Sequence, residues 1–389
     1  MSHKGIRWAA LALLGAGLCG LVACESALRL WLDELGLPIN VAGGLQAEFI
    51  VNHAEYPTAL AFAPDGRVFY TEKNTGRIRV VSGGQLLETP FAEVPVNTAE
   101  DRGLLGVAVH PNFALNGRVY VFYTRSNTGQ NSSAAEAVID HRIVYFVAAG
   151  DAADGGEVFV ASIPAEGDGR RVGGRIAFAP DGTLFAAVGD QGNVAAAQDT
   201  TRLSGKILRY NDDGTIPASN PIANSPVYAH GLRDPQGLAF DPLTGAGFVI
   251  DRNLVNSHEI NRIVAGRDFG WSIVIGPADN DIELAYVQAT PEYAEPVYHS
   301  DGDFDAFVGL AFNPSTKYGN DARNGLFCGI PARNVVQWIT LGGDDHDRVD
   351  RVRDFAGGFP SAITDVAFTP AGTLYVACQD AILRVVRFP

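Results

Sequence analysis

Short apolar runs with a period of two alternate with turn residues along most of the chain, and one pattern returns six times. Each copy has an apolar triplet, then Pro with turn residues that usually include Gly, then a second alternating run. The copies begin at Leu60, Val107, Ile176, Leu238, Leu310 and Val366. Because period-2 runs joined by Asp-Gly or Thr-Gly are typical of β-hairpins, each copy predicts two paired strands.

The spacing of the copies predicts how these hairpins assemble. Successive copies lie 47 to 72 residues apart, and a further strand often follows, as in GRIRVV from Gly76, SGKILRY from Ser204 and AILRVVRF from Ala381. Sheets of this size bury their apolar faces only against neighbours, and six of them close as a ring. We therefore predict an all-β fold, a six-bladed β-propeller of four-stranded antiparallel blades over residues 46–389, whose last strand closes the ring with an N-terminal segment. A set of sandwich domains is the alternative, but it would require linkers that the sequence lacks.

The first 24 residues have a different pattern. A basic start at residues 3–7 precedes the apolar run Trp8–Ala23, which is typical of a secretory signal. Residues 21–24 resemble the lipobox of bacterial lipoproteins, which implies cleavage before Cys24 and a lipid on its sulfur. Glu25 after the cysteine suggests an outer membrane address facing the periplasm or the cell exterior. Plain secretion and an uncleaved membrane anchor are the alternatives.

A signal peptide at residues 1–24 and a linker or N-terminal segment at residues 25–45 leave two cysteines in the exported domain, Cys328 and Cys378. Two cysteines do not make a disulfide framework. Both lie in apolar runs that predict strands, so we expect buried thiols, with a disulfide bridge as the alternative.

Composition and charge restrict the class of function. The 389 residues include 44 acidic and 29 basic side chains, giving a formal net charge of -15. This balance argues against a sequence-independent nucleic-acid binder, whose affinity depends on Lys and Arg. The apolar share of 47% is sufficient for a large core and excludes a disordered chain.

Five motifs follow one another in a fixed order: GLLG with HPNF at 103–113, GDQGN at 189–193, GKILR at 205–209, GLRDPQGLAFDP at 231–242 and EINRI at 259–263. In this order and spacing, the chain from about Leu60 to its C-terminus resembles the glucose/sorbosone dehydrogenase family. These are soluble aldose dehydrogenases that use pyrroloquinoline quinone and calcium. The resemblance implies a small-molecule sugar as substrate and an oxidoreductase acting on its CH–OH groups.

The family reaction needs a base of near-neutral pKa, a divalent cation held by oxygens, and cationic residues that face a tricarboxylate. In the family the base is a His four residues before the Arg of a Ser/Gly-Gly-Arg segment. That Arg matches Arg175, so Arg171 occupies the position of the base. A guanidinium does not lose its proton at working pH, so Arg171 cannot be the base. Asp190 or Asp101 would have to replace it.

The resemblance also implies changes at the calcium and quinone sites. The family holds calcium with backbone oxygens of a Gly-Pro pair, and the matching segment at 251–254 has Asn-Leu instead, with Arg252 adding a positive charge. Arg233 matches the arginine that binds the quinone carboxylates, but Asp234 replaces the Asn that follows it. Glu259 matches an acid near a second, structural calcium. Added acids would repel a trianion.

The residues of the candidate pocket are three arginines and four aspartates: Arg171, Arg233, Arg252, Asp101, Asp190, Asp234 and Asp251. In one alternative these residues form partly buried ion pairs. In the other, Arg252 replaces the calcium charge, and the three arginines form a fork for an anionic ligand. Two functions follow: a quinoprotein-type sugar dehydrogenase with substituted catalytic positions, or a lipid-anchored propeller that binds a saccharide or an anion without redox chemistry.

Overall fold

The computed structural model describes residues 39–42, 44–254, 257–300 and 306–387. Each predicted repeat begins in the innermost strand of an antiparallel sheet: β3 (Pro57–Phe62), β8 (Leu104–Val109), β12 (Gly173–Phe178), β16 (Pro235–Phe240), β20 (Val308–Phe312) and β24 (Ile363–Phe368). Neighbouring innermost strands contact one another around a closed circle, from β3 through β24 and back to β3. The predicted six-bladed propeller is therefore confirmed.

The remaining strands extend each blade outward. Blade 1 has β4 (Val68–Glu72), β5 (Arg77–Ser82), β6 (Gln85–Leu86) and β7 (Ala92–Glu93); blade 2 has β9 (Arg118–Ser126), β10 (Val138–Ala149) and β11 (Ala152–Pro164). Blade 3 has β13 (Leu184–Val188), β14 (Lys206–Tyr210) and β15 (Val227–His230); blade 4 has β17 (Gly247–Asp251), β18 (Glu259–Ile263) and β19 (Tyr298–His299). Blade 5 has β21 (Leu326–Ile330), β22 (Val335–Gly342) and β23 (Arg348–Gly357). Blade 1 departs from the four-stranded pattern because both β6 and β7 pair with β5.

Blade 6 joins the two ends of the chain. After β25 (Leu374–Cys378) and β26 (Ala381–Arg387), its outer strands are β2 (Leu45–Asn52) and β1 (Ile39–Ala42). The antiparallel pairing of β2 with β26 closes the ring with an N-terminal segment, as the sequence predicted. The blade also includes β1 and Leu45, which lie in the stretch at 25–45 that was predicted as a linker or N-terminal segment. The predicted signal peptide at 1–24, with Cys24, lies outside the described residues.

Helices are short in this structure. Those within the described residues are α1 (Phe113–Asn116) and α2 (Asp281–Ala289), with 3₁₀ turns at Val194–Ala197, Asn320–Ala322 and Pro331–Arg333. The side chain of Asn280 caps α2 by accepting hydrogen bonds from the backbone N–H groups of Ile282 and Glu283. In the described part of the chain, no helix has the length and apolar character needed to cross a membrane.

The hydrophobic core is divided among the interfaces between blades. One cluster, for example, joins Leu105 and Tyr120 of blade 2 to Ile176 and Leu184 of blade 3. Blades approach closely at Gly106, where a Cβ atom would lie 2.3 Å from the carbonyl oxygen of Gly174. This packing gives each sheet the neighbour that its apolar face requires.

Both cysteines of the propeller belong to this core. Cys328 and Cys378 are buried, and they are not joined in a disulfide. The expectation of buried thiols is therefore confirmed.

Candidate functional site

The first residues of the innermost strands surround a cavity of about 300 Å³ at one mouth of the central channel. All six blades contribute to its wall, which includes Tyr56, Thr58, Lys73, Asp101, Leu105, Gly173, Arg175, Gln236, Arg252, Val308, Pro331, Ile363, Thr364 and Gln379. A concave site where loops of several blades converge is where a propeller is expected to bind a ligand.

An ion pair between Arg175 and Asp365 separates this cavity from the channel below it. Arg175 lies in blade 3 and Asp365 in blade 6, which are opposite each other in a ring of six, so their contact of 3.0 Å crosses the channel. Arg175 also donates to the carbonyl oxygen of Thr364 at 2.7 Å, and the N–H of Leu60 donates to Asp365 at 2.9 Å. The second cavity, on the far side of Arg175, is only about 80 Å³. The crossing pair therefore forms the floor of the mouth.

Arg171, which the sequence resemblance assigns to the family's base position, pairs with Asp190. Its Nε donates to Oδ1 of Asp190 at 2.7 Å, and its backbone N–H donates to Oδ2 of Asp101 at 2.7 Å. Asp190 is fully buried and also accepts hydrogen bonds from the indole of Trp271 at 2.8 Å and the N–H of Gly192 at 2.9 Å. Two neutral N–H donors and one guanidinium thus satisfy this carboxylate. Arg171 is held in a left-handed conformation, with φ of 54°.

Gln191, within the GDQGN motif, anchors the loop that carries Asp190. Its side-chain oxygen accepts hydrogen bonds from the N–H of Glu166 at 2.7 Å and from Nε2 of His141 at 2.9 Å. Its amide nitrogen donates to the carbonyl oxygen of Pro164 and to Ser204, each at 3.0 Å. Because the Gln191 oxygen is the acceptor, Nε2 of His141 carries the proton.

The protonation of His141 predicts acid sensitivity. Burial lowers the pKa of His141 from 6.5 to about 4, so the unfolded chain binds more protons between these values and stability falls as pH falls through that window. The loss from pH 7 to pH 5 is about 2 kcal/mol from this group. We expect His141→Phe, which keeps the stacking on Phe122, to be less stable than the unsubstituted protein at pH 7. The difference between their free energies of unfolding should be about 2 kcal/mol smaller at pH 5. Urea unfolding at both pH values measures this, and an unchanged difference between the two proteins would contradict it.

Arg252 and Asp234 form the second ion pair of the site. Nε and a terminal nitrogen of Arg252 donate to the same oxygen of Asp234, at 3.0 and 2.7 Å. The other oxygen of Asp234 accepts from the side-chain amide of Gln236 at 2.8 Å. Asp234 raises the pKa of Arg252 further above its ordinary value, so this guanidinium is a permanent cation. The side chains of Arg252 and Gln236, both held by Asp234, line the cavity.

Arg233 points into the protein, toward the backbone that follows β17. Its guanidinium donates to the carbonyl oxygen of Arg252 at 2.8 Å and, more weakly, to that of Asn253 at 3.4 Å, and it lies 5.3 Å from the ring centre of Trp271. The backbone N–H groups of Arg233 and Asp234 donate to the two oxygens of Asp251 at 2.8 and 2.6 Å.

Asp251 and Glu259 are cross-strand neighbours on β17 and β18, and both are buried. Burial raises the pKa of each carboxyl group, and the charge of Asp251 raises that of Glu259 further. Glu259 accepts hydrogen bonds from the side chains of Asn253 at 2.6 Å and Asn261 at 2.8 Å, and from the N–H of Gly276 at 2.8 Å. The oxygens of Glu259 are thus occupied by N–H donors. Among the described residues, no group of three or more His, Cys, Asp or Glu side chains is arranged to hold a metal ion.

The structure brings the predicted pocket residues together, but only Asp101 and Arg252 line the cavity. The arginines adopt the ion-pair alternative: Arg171 with Asp190 and Arg252 with Asp234. The anion fork is not the observed arrangement, because the three guanidinium groups are engaged separately and do not converge on the cavity.

Sequence reasoning did not single out Tyr56, Lys73 or Gln236, which also line the mouth. Tyr56 and Lys73 flank the first repeat, and Gln236 lies inside the GLRDPQG motif. The motif was therefore a signal that could have identified Gln236, whereas nothing in the local sequence distinguishes Lys73.

Comparison with known proteins shows similarity to sugar dehydrogenases. A family model described as glucose/sorbosone dehydrogenase matches residues 54–387. The chain is 29% identical to the aldose sugar dehydrogenase YliI of Escherichia coli over 346 residues, which are 87% of this chain and 91% of that protein. It is 33% identical to the quinoprotein glucose dehydrogenase B of Acinetobacter calcoaceticus over 258 residues, which are 59% and 53% of the two chains.

A solved structure is similar over nearly its whole length. The PQQ-bound aldose sugar dehydrogenase of Streptomyces coelicolor superposes with a TM-score of 0.71 at 25% identity, covering 89% of this chain and 99% of that one. The family match extends over almost all of the propeller, and the fold agrees with it. The chain therefore belongs to the glucose/sorbosone dehydrogenase family.

Proposed function

We propose that this protein binds a neutral saccharide at the channel mouth without quinone redox chemistry, on a propeller inherited from sugar dehydrogenases. The observation that carries this proposal is the pairing of Arg171 with Asp190 at the position of the family's base. A buried ion pair is costly to break, since separation leaves an uncompensated charge. Arg171 is therefore a structural cation and not a proton acceptor.

The residues at the family's calcium position do not fit a divalent cation. Metal ligation would need outward-facing backbone oxygens in the segment at 251–254, yet the carbonyl oxygens of Arg252 and Asn253 accept hydrogen bonds from the Arg233 guanidinium. A second cation at these oxygens would be repelled by Arg233 and Arg252 at close range. We therefore derive no catalytic step through calcium.

The residues also do not fit a tricarboxylate quinone. Arg175 is paired with Asp365, Arg252 is paired with Asp234, and Asp101 adds a carboxylate to the wall. The three cations lining the cavity, which include Lys73, are thus balanced by three carboxylates. A trianion would gain no net attraction from this set, whereas a neutral polyol can use the charged groups as hydrogen-bond donors and acceptors.

The lining is suited to a sugar. Thr58, Gln236 and Gln379 supply neutral hydrogen-bonding groups, and Tyr56 supplies an aromatic ring at the rim. The volume of about 300 Å³ is at the small end of ligand pockets, which favours one monosaccharide-sized ligand over a quinone and a sugar together. The proposal places the protein outside the cytoplasm, anchored by a lipid on Cys24, on the support of the apolar run and lipobox pattern in its first 24 residues.

A titration separates this proposal from a quinoprotein dehydrogenase. We expect that pyrroloquinoline quinone with calcium gives neither bound-cofactor absorbance nor aldose-dependent dye reduction. We also expect saturation-transfer NMR to detect binding of at least one monosaccharide from a panel of methyl glycosides. Cofactor binding accompanied by dye reduction would refute the proposal and identify an active dehydrogenase.

A matched pair of variants locates the binding site. Gln236→Ala removes a hydrogen-bonding group from the wall of the mouth and should weaken glycoside binding about fivefold, because one lost hydrogen bond costs on the order of 1 kcal/mol. Gln85→Ala, at an exposed position on the outer strand β6 of blade 1, should leave the affinity unchanged. Equal effects of the two substitutions would place the sugar elsewhere.

A further inference from the structure

Lysine is rare in this protein. Of its 29 basic residues only four are lysines, namely Lys4, Lys73, Lys206 and Lys317. Within the described part of the chain, Lys206 is buried and Lys317 is on the surface, whereas Lys73 lines the cavity at the channel mouth. An amine can lose its proton and become a nucleophile, which a guanidinium cannot do. The mouth therefore holds the one kind of cation that can form a covalent bond.

The fold holds Lys73 in a defined position. Its carbonyl oxygen accepts a hydrogen bond from the N–H of Leu104 at 3.0 Å, and its side chain runs past Gly103, where a Cβ atom would lie 2.7 Å from Cγ of Lys73. Its ammonium group lies 5.8 Å from the ring centre of Tyr56 and donates to the carbonyl oxygen of Glu100 at 2.7 Å. Gly103 thus leaves the space that the lysine stem occupies.

The partners of the Lys73 amine allow it to react. A carbonyl oxygen holds the amine in place without the strong preference for the charged form that a directly paired carboxylate would impose. Burial lowers the pKa of Lys73, although the more distant charges of Asp101 and Glu100 oppose that shift. The carboxylate of Asp101 lines the same cavity and can relay a proton there.

We propose that Lys73 is a nucleophile that binds the aldehyde group of an open-chain sugar, or of a small sugar-like aldehyde, as a covalent imine. This inference rests on the proposed function, in which the same cavity takes a saccharide. It narrows the ligand class from any neutral saccharide to one with a reactive carbonyl group.

The reaction needs no oxidant and no metal. The deprotonated amine attacks the carbonyl carbon, a C–N bond forms as the C=O π bond breaks, and one proton passes from the nitrogen to the carbonyl oxygen to give a carbinolamine. The second proton of the nitrogen then passes, through the Asp101 carboxylate, to the hydroxyl group, which leaves as water while the C=N bond forms. One water is released for each imine formed, and hydrolysis returns the aldehyde and the free amine.

Reductive trapping tests this proposal on the full-length protein. D-glyceraldehyde is added with sodium cyanoborohydride, which converts an imine into a stable secondary amine, and peptide mass spectrometry then gives the occupancy of each lysine. We expect Lys73 to be modified about tenfold more than Lys317, because the cavity holds amine and aldehyde together. Lys73→Arg keeps the positive charge and should abolish adduct formation at the mouth, whereas Lys317→Arg should leave the Lys73 adduct unchanged. Equal modification of Lys73 and Lys317 would overturn the proposal.

A second measurement distinguishes failure of this inference from failure of the proposed function. Methyl glycosides cannot open to an aldehyde, so their binding reports on the cavity alone. If a glycoside binds and Lys73 is not preferentially trapped, the imine proposal fails and saccharide binding stands. If a bound glycoside slows trapping at Lys73 but not at Lys317, the glycoside and the aldehyde occupy the same cavity and the inference is supported.

Discussion

Replacing Gly189 with alanine is expected to destabilise the protein by about 3 kcal/mol or more, because the new side chain has no space. A Cβ atom at this position would lie 1.9 Å from the carbonyl oxygen of Arg171 and 2.9 Å from that of Arg233. Both contacts are with backbone, which cannot rotate away as a side chain would. The loops that hold Arg171 and Asp190 must separate, so we expect the Arg171–Asp190 pair to be lost together with stability.

Urea denaturation measures this effect, and Gly156→Ala is the matched control. Gly156 lies on the outer strand β11, and a Cβ atom there would have no neighbour within 4 Å. That substitution should change the free energy of unfolding by less than about 0.5 kcal/mol. A small effect at Gly189, comparable to the control, would show that the blade 3 loops can move apart at little cost.

Lys206→Met is expected to destabilise the protein by about 3 kcal/mol or more, since each buried carbonyl that loses its donor costs on the order of 1 kcal/mol or more. The ammonium group of Lys206 is fully buried and donates to the carbonyl oxygens of Ala196, Ala197 and Ser204 at 2.7, 2.9 and 2.7 Å. Methionine fills a similar volume but donates no hydrogen bond. The segment between Asp190 and Lys206 would then lose its attachment to β14.

Lys317→Met is the corresponding control, because Lys317 is exposed and its ammonium group donates a hydrogen bond to the hydroxyl group of Thr373. We expect it to change the free energy of unfolding by less than about 0.5 kcal/mol. Thermal unfolding followed by circular dichroism compares the two variants. If Lys206→Met were as stable as Lys317→Met, water would have to satisfy the three carbonyl groups, and the role assigned to Lys206 would be wrong.

The propeller could be predicted from the sequence because its signal is local and repeated. Strand alternation and the Asp-Gly turns depend on neighbouring residues only, so each copy can be recognised without knowing its partners. Asp65-Gly66 and Asp181-Gly182 illustrate this, since each glycine adopts the positive φ that the turn requires. The strand β1 could not be predicted in this way, because it has no repeat around it and its pairing partner is β2.

The partners within the site could not be predicted in the same way. The resemblance identified Arg171 and Arg252 as substituted positions, and it left open whether they pair with carboxylates or face a ligand. That choice depends on contacts between distant segments, such as Asp190 with Trp271, which are 81 residues apart. The position of Lys73 in the cavity could not be predicted, because a single lysine after a strand forms no recognisable sequence pattern.

Taken alone, the order of residues determined the β-propeller, the family to which the chain belongs and the presence at position 171 of a guanidinium, which cannot serve as a base, because these follow from local periodicity, from motif order and from the chemistry of one side chain. Only the tertiary structure decided that Arg233 faces backbone carbonyls, that Arg175 and Asp365 close the floor of the mouth and that Lys73 faces the cavity. The physical reason is that direction, burial and charge compensation arise when blades meet around the ring, and no single segment contains both partners.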